Sequence, residues 1–201
     1  MMKLLFSALL AFACAAAQAQ VPAGAPTQRL RGSVESFDGT TLVVKERSGE
    51  VLRLALADNF AVSEVLPIAL SSIQPGSFIG TAALADADGK LRALEVLVFA
   101  EAARGTGEGH GPWDLQPGST MTNATVSEMV VAAGGRTLKL RYKDGEKTVV
   151  VPEGIPIVTL KPGDRSLLVP GAKVLVTAQT RDGKPTALRA AVGRDGYTPP
   201  M

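Results

Sequence analysis

Residues 71–98, SSIQPGSFIGTAALADADGKLRALEVLV, line up with residues 166–192, SLLVPGAKVLVTAQTRDGKPTALRAAV. An internal repeat constrains the architecture more than any other sequence feature, because one supersecondary unit must then be used twice. Pro75-Gly76 matches Pro170-Gly171, Asp88-Gly89-Lys90 matches Asp182-Gly183-Lys184, and Ala93-Leu94 matches Ala187-Leu188. Upstream, Thr41-Leu42 matches Thr137-Leu138 and Ser48-Gly49-Glu50 matches Asp144-Gly145-Glu146. The landmarks keep the same order, and the offset between the two copies varies only from 94 to 96 residues.

Each copy reads as β. In the first, Leu30–Phe37 and Thr40–Arg47 flank Asp38-Gly39, a two-residue hairpin signal. Val51–Leu56 follows Ser48-Gly49, Ser77–Ala85 follows Pro75-Gly76, and Leu91–Phe99 follows Asp88-Gly89. The second copy repeats this with Ala124–Val131, Arg136–Tyr142, Lys147–Val151, Lys173–Thr180 and Thr186–Val192. Between the third and fourth strands, Pro67–Ile73 and Asp164–Leu168 each suit one helical turn, the latter with Asp164 as N-cap. Five strands with a short helix after the third is the element order of an OB-type barrel, although an open five-strand meander gives the same string. The expected fold is therefore all-β, with two tandem small OB-like five-stranded barrels. Their bounds are 29–100 and 123–195, joined by a Gly/Pro-rich linker at 101–122 and followed by a flexible tail at 196–201.

The N-terminus, MMKLLFSALLAFACAAAQAQ, carries Lys3, an apolar run from Leu4 to Ala17, and the A-x-A signal Ala17-Gln18-Ala19. This is the pattern of a secretory signal peptide over residues 1–19, with cleavage expected after Ala19 and a periplasmic product. Acylation at Cys14 would set the bulky Phe12 where a small residue is usual. Cleavage removes Cys14, the only cysteine, so no disulfide is expected in the mature chain. No later segment approaches the roughly 18 uninterrupted apolar residues of a membrane span. The remaining 182 residues suffice for one or two modest domains held by core burial. Net charge is split between the halves: residues 20–122 carry eight Lys/Arg against twelve Asp/Glu, and residues 123–201 twelve against seven. Such a split suits either an anionic partner for the basic half or two halves that complement each other.

The opening Gly32-Ser33-Val34, the Pro-Gly before strand four, the Asp-Gly hairpin and the strand Ala93-Leu94-Glu95-Val96 resemble a bacterial exported envelope family of unknown function built from OB-like β repeats. The central stretch GEGHGPWDLQPGSTMTNATV is similar to one in exported members, some labelled "metal ABC transporter permease". The resemblance spans nearly the whole mature chain. Its motifs are structural turns, so it implies a fold and brings no catalytic residue. The permease label conflicts with the lack of any later spanning segment.

Composition narrows the chemistry. One histidine and no mature cysteine leave too few ligands for a zinc or copper site of the usual kind, so neither metal nor cofactor is expected. Asp86-x-Asp88-Gly89 resembles a calcium loop but lacks the downstream acid at EF-hand spacing, and a hairpin turn accounts for it better. A serine triad would need His110 as base, yet Gly109, Gly111 and Pro112 surround it and no G-x-S-x-G elbow is present. No phosphate loop or dinucleotide fingerprint occurs. The chain is read as not an enzyme, with a His110-dependent hydrolase as the outlying alternative.

Two places are candidates for binding. Lys139, Arg141 and Lys143 alternate with Leu138, Leu140 and Tyr142, so a strand would carry three cations on one face. That face is either a basic strip for an anionic ligand or the solvated side of an amphipathic strand. The stretch from Arg104 to Asn123 holds the only histidine, His110, and the only tryptophan, Trp113. Trp113 and Leu115 are expected to pack against a barrel or between the two, with a ligand cleft at the junction, rimmed by His110 and Trp113, as the sharper alternative. Too few aromatics remain for base stacking, so nucleic acid is not an expected partner. The sequence thus reads as an exported non-enzymatic binding or scaffolding module of the cell envelope, with an envelope protein or a small anionic ligand as partner. The second reading is a carrier or sensor of such a ligand at the junction.

Overall fold

A computed structural model describes residues 26–200, so the expected export signal at 1–19 and Cys14 lie outside the described residues. Twelve strands form one connected sheet: β1 Gln28–Phe37, β2 Thr41–Glu46, β3 Val51–Pro67, β4 Phe78–Ala85, β5 Leu91–Val98, β6 Gly109–Pro112, β7 Thr120–Ala132, β8 Gly135–Tyr142, β9 Gly145–Pro152, β10 Ile157–Pro162, β11 Lys173–Arg181 and β12 Lys184–Gly193. The helical elements are single 3-10 turns at Leu70–Ser72, Glu101–Ala103, Arg165–Leu167 and Arg194–Gly196. No helix of the described residues is long and apolar enough to cross a membrane.

The turns form as their residues dictate. The Asp38 carboxylate accepts the backbone N–H of Thr40 (2.9 Å) and Thr41 (2.7 Å), closing the β1–β2 hairpin. Asp86 does the same through its Oδ1 for the N–H groups of Asp88 (3.0 Å) and Lys90 (2.9 Å), closing the β4–β5 hairpin. Asp182 and Gly183 both take positive φ (48° and 73°), the demand of a two-residue turn whose twist matches the strands it joins. Asp164 caps its turn as expected, accepting the Ser166 N–H at 2.7 Å. At Gly32 a Cβ would overlap the Lys45 carbonyl, so the close approach of β1 and β2 requires glycine there.

Strand partners are exchanged between the two copies. β1, β2 and β3 of the first copy pair in sequence, and the ring is completed by β12 parallel to β3, β11 antiparallel to β12, and β11 back onto β1. This is a closed five-stranded β-barrel around Val34, Leu42, Val44, Leu54, Val176 and Val192. A second ring of pairings runs β7–β8–β9–β5–β4 and back to β7, around Ile79, Val96, Leu138, Leu140, Val149 and Val151. Its β5–β9 seam is only two residue pairs long, Leu91 with Val149 and Arg92 with Val150. The expected self-contained units 29–100 and 123–195 therefore do not each close on themselves. The first three strands of each copy take the last two strands of the other.

The physical cause is the length of β3. Its 17 residues, at about 3.3 Å each, give a contour of roughly 56 Å. The first part pairs with β2, the middle with β12, and the last residues with β10. β3 thus carries the chain out of the first ring and delivers β4 and β5 to the second. Antiparallel to its end, β10 leads the chain back, so that β11 and β12 fall into the first ring. The stretch after Leu56 reads as irregular in the sequence, yet it is strand, with Phe60, Val62 and Val65 buried. Between the rings, Val65, Leu97 and Val158 form a junction core packed by Phe99, Leu160, Leu175 and Tyr197. Tyr197 belongs to the expected flexible tail, which instead folds back onto this core.

The 101–122 segment is also more than a connection, since β6 pairs along β7 from Gly109 with Asn123 to Pro112 with Thr120. The exchange predicts an observable behaviour. A protease site inserted at the exposed Gly105–Gly107 turn is expected to give two fragments that still co-elute at the intact position in size-exclusion chromatography and part only in denaturant. Native separation into two folded halves would refute the exchange.

Candidate functional site

The segment from Arg104 to Ser119 is a strap that ties the two rings together. At its start Arg104 is held by Glu101 (2.6 Å) and donates to the Gly76 carbonyl (2.9 Å). Along β6 the exposed His110 lies with Nδ1 2.8 Å from the Thr122 hydroxyl. Burial, and then the charge of Lys147, hold the His110 imidazole below its ordinary pKa. At its far end the strap closes a turn, with Trp113 N–H donating to Ser119 O at 2.8 Å.

That turn docks on β1. The guanidinium of Arg29 stacks 3.7 Å from the centre of the Trp113 ring. Asp114 accepts from both Arg29 (3.2 Å) and Arg31 (2.7 Å). Burial pushes the Asp114 carboxyl up, but the hydrogen bonds and charges of the two arginines outweigh it and hold the group below the usual carboxylate range. Arginines two apart on a strand share a face, which is why one carboxylate reaches both.

Behind Arg31 lies a group that sequence reasoning missed. Glu95, on β5, is 1 % exposed. Its Oε1 accepts the Ala82 N–H at 3.0 Å, and its Oε2 is buried with no hydrogen-bond partner. Burial drives its pKa up to about 7, against the lowering effects of the Ala82 N–H and the Arg31 charge. Tyr197, raised first by its own burial and then by the charge of Glu95, faces the same spot. The signal was an acid inside the run Leu94-Glu95-Val96-Leu97-Val98, where a solvated carboxylate has no place.

On β8 the expected alternation holds. Leu138 and Leu140 are buried, Tyr142 packs on the second core, and Lys139, Arg141 and Lys143 point outward. Lys139 lies 3.6 Å from Glu128 and 3.4 Å from Glu146, so part of the strip's charge is answered within the sheet. Arg141 and Lys143 remain exposed. A groove of about 610 Å³ lies between Gly89, Lys90 and Leu91 at the entry to β5 and Thr137, Glu146 and Lys147 of β8 and β9.

The strap meets the second ring beside the strip, while its far end lies on the first ring. Glu108 of the strap accepts the Lys143 backbone N–H at 3.0 Å, and Lys147 is the charge that His110 feels. Trp113 sits on the first ring under Arg29, and His110 lies against Thr122. Leu115 is half-buried in the same turn. Comparison with protein-family models, curated proteins and solved structures finds no match.

Glu95 carries a pH prediction. The folded chain keeps a proton on this carboxyl between pH 4.5 and about 7, which the unfolded chain has lost. Its contribution to stability is present in full below that window, falls as pH rises through it, and levels off above. Glu95→Gln is expected to remove this fall. Relative to its difference from wild type at about pH 5, the variant should gain ~3 kcal/mol by about pH 8, at 1.36 kcal/mol per pH unit. Urea unfolding at both pH values checks this, and an equal fall in the variant would show that Glu95 is not its source.

Proposed function

We propose that the chain is an exported, non-enzymatic binding and scaffolding module of the cell envelope, built as two OB-like barrels that have exchanged their last two strands. By position within the copies, each ring has the order first, second, third, fifth, fourth, with the third and fifth strands parallel. Small barrels of the OB type bind oligomeric ligands on the face of their second and third strands and on the loops beside it. In the second ring those strands are β8 and β9. The observation that carries the proposal is the groove on that face, lined by Lys90 and Lys147 with one acid, Glu146, to which the exposed Arg141 is the cross-strand neighbour. The export signal at residues 1–19 supports a periplasmic location, and the resemblance to exported OB-like repeat proteins of the envelope supports the same reading.

The ligand chemistry in this reading is anionic. Arginines at the junction are already answered by Asp114, whereas Arg141 and Lys143 are open to solvent. This favours the β8–β9 face over the junction as the place where an anion is held.

A heparin-derived hexasaccharide serves as a probe. Its affinity for the mature protein is expected to fall as ionic strength rises from about 0.05 to 0.3 M, because exposed charge contacts are screened. The combined variant Lys90→Ala, Arg141→Ala, Lys143→Ala should weaken binding roughly tenfold, ~1.4 kcal/mol. Titration calorimetry reads both effects. Affinity indifferent to salt and to the three substitutions would sink the anionic reading.

A further inference from the structure

The tip of the β7–β8 hairpin leaves one side of its backbone unpaired. Near its start β7 pairs with β6 on one side and β4 on the other, and beyond Thr125 β8 takes over from β6. On the β4 side the backbone bonds end at Val126, whose N–H donates to Ser77 O and whose carbonyl accepts the Gly76 N–H, both at 2.8 Å. From Glu128 to Ala132 the strand pairs with β8 alone among the described residues. Val130 is 63 % and Val131 66 % exposed, although neighbours in a strand point to opposite faces, so both faces of the tip lie open to water. No charge lies between Met129 and Gly135, and Arg136 donates to the Ile73 carbonyl at 2.9 Å. Free edges elsewhere are guarded: β6 ends in Pro112, β9 carries Glu146 and Lys147 ahead of its seam with β5, and β11 runs beyond its pairing with β1 to Arg181. Proline and charge on an edge are the usual protection against a second strand. From Met129 to Ala132 the β7 edge has neither.

We propose that the edge Glu128–Ala132 is the interface through which two copies of this chain associate, β7 pairing antiparallel with β7 of the second copy. A second strand supplies the N–H and C=O partners that this edge lacks and covers its exposed valines. The sequence of the edge suits its own copy. A two-fold axis through Val130 sets Val130 opposite Val130, Met129 opposite Val131 and Glu128 opposite Ala132. No like charges meet across that pairing. A self-complementary contact of this kind closes at two copies and leaves no open end to propagate. An unrelated extended peptide would be selected by side-chain pockets beside the edge, and the 610 Å³ groove is lined by no residue of 128–132. The two-fold stands normal to the sheet, so the outer β8 faces of both copies lie on one side, and their exposed Arg141 and Lys143 are doubled there. That doubling matters to ligand binding only through the anionic reading above, whereas the pairing itself does not rest on it.

Sedimentation velocity of the mature protein tests this. An edge this short makes a small interface, so the dimer is expected to grow in over roughly 10 to 1,000 µM protein. Val130→Lys sets two ammonium groups opposite each other and should weaken association roughly tenfold. Val130→Glu should do the same, and an equimolar mixture of the two variants should restore the dimer, because opposite charges then face each other. Val130 is exposed at the tip, so neither substitution disturbs a core. The combined variant Lys90→Ala, Arg141→Ala, Lys143→Ala should dimerise as the wild type does, which separates this interface from the anionic groove. A protein monomeric at every concentration, a dimer unmoved by Val130→Lys, a mixture that stays monomeric, or a dimer lost in the triple variant would each overturn the proposal.

Discussion

β3 hydrogen-bonds in succession to β2, to β12 and to β10, and the placing of every other strand follows from that one long element. Its parallel pairing with β12 closes the first ring, bringing a strand near the start of the described chain against the last strand near its end. A parallel pair cannot be made by a tight turn and needs a long crossover. Here the crossover is the entire second ring. Neither ring is therefore complete until the chain has passed through both, which makes the two rings one folding unit despite their two cores. Such non-local pairings are slow to form, because the closure entropy of a long loop must be met before the contacts are gained.

Exchange also decides which charges meet. If each copy had closed on itself, β1 and β5 would have lain within one ring. Instead Arg31 on β1 and Glu95 on β5 belong to different rings, and the charge of Arg31 acts on the Glu95 carboxyl between them. The charge split between the halves is only partly resolved by contact between them. Glu64 and Arg194 join the halves, but Arg29 and Arg31 are answered by Asp114, and Lys139 by Glu128 and Glu146, within their own halves. The basic half thus keeps exposed cations on β8.

Much of the local structure was legible. Asp-Gly pairs marked hairpins because an Asp carboxylate can satisfy the turn's own N–H groups, as Asp38 and Asp86 do. The cations of β8 were placed outward by the period of two alone. Partner choice was not legible, and the duplication itself is the reason. Two copies with matching strands present matching inward faces, so a hairpin from either one fits either ring, and hydrophobic patterning does not distinguish the arrangements. What distinguishes them is the connection between the third and fourth strands. Asp58, Asn59 and Glu64 masked the continuation of β3, because strand patterns rarely carry so many polar residues.

The site was legible in part for a related reason. A lone histidine and a lone tryptophan within one glycine-rich stretch invited a single cleft, but β6 is a strand and turns them to different neighbours, His110 to Thr122 and Trp113 to Arg29. Glu95 was hidden by the opposite error, that of reading a strand acid as solvated. Burial shuts the Glu95 carboxyl in, and the Ala82 N–H satisfies it on one oxygen only. A leucine there would have matched the surrounding core without the desolvation penalty. Retaining an acid places a group that can gain or lose a proton two residues from Leu97 of the junction core, so a change in its charge acts where the two rings meet.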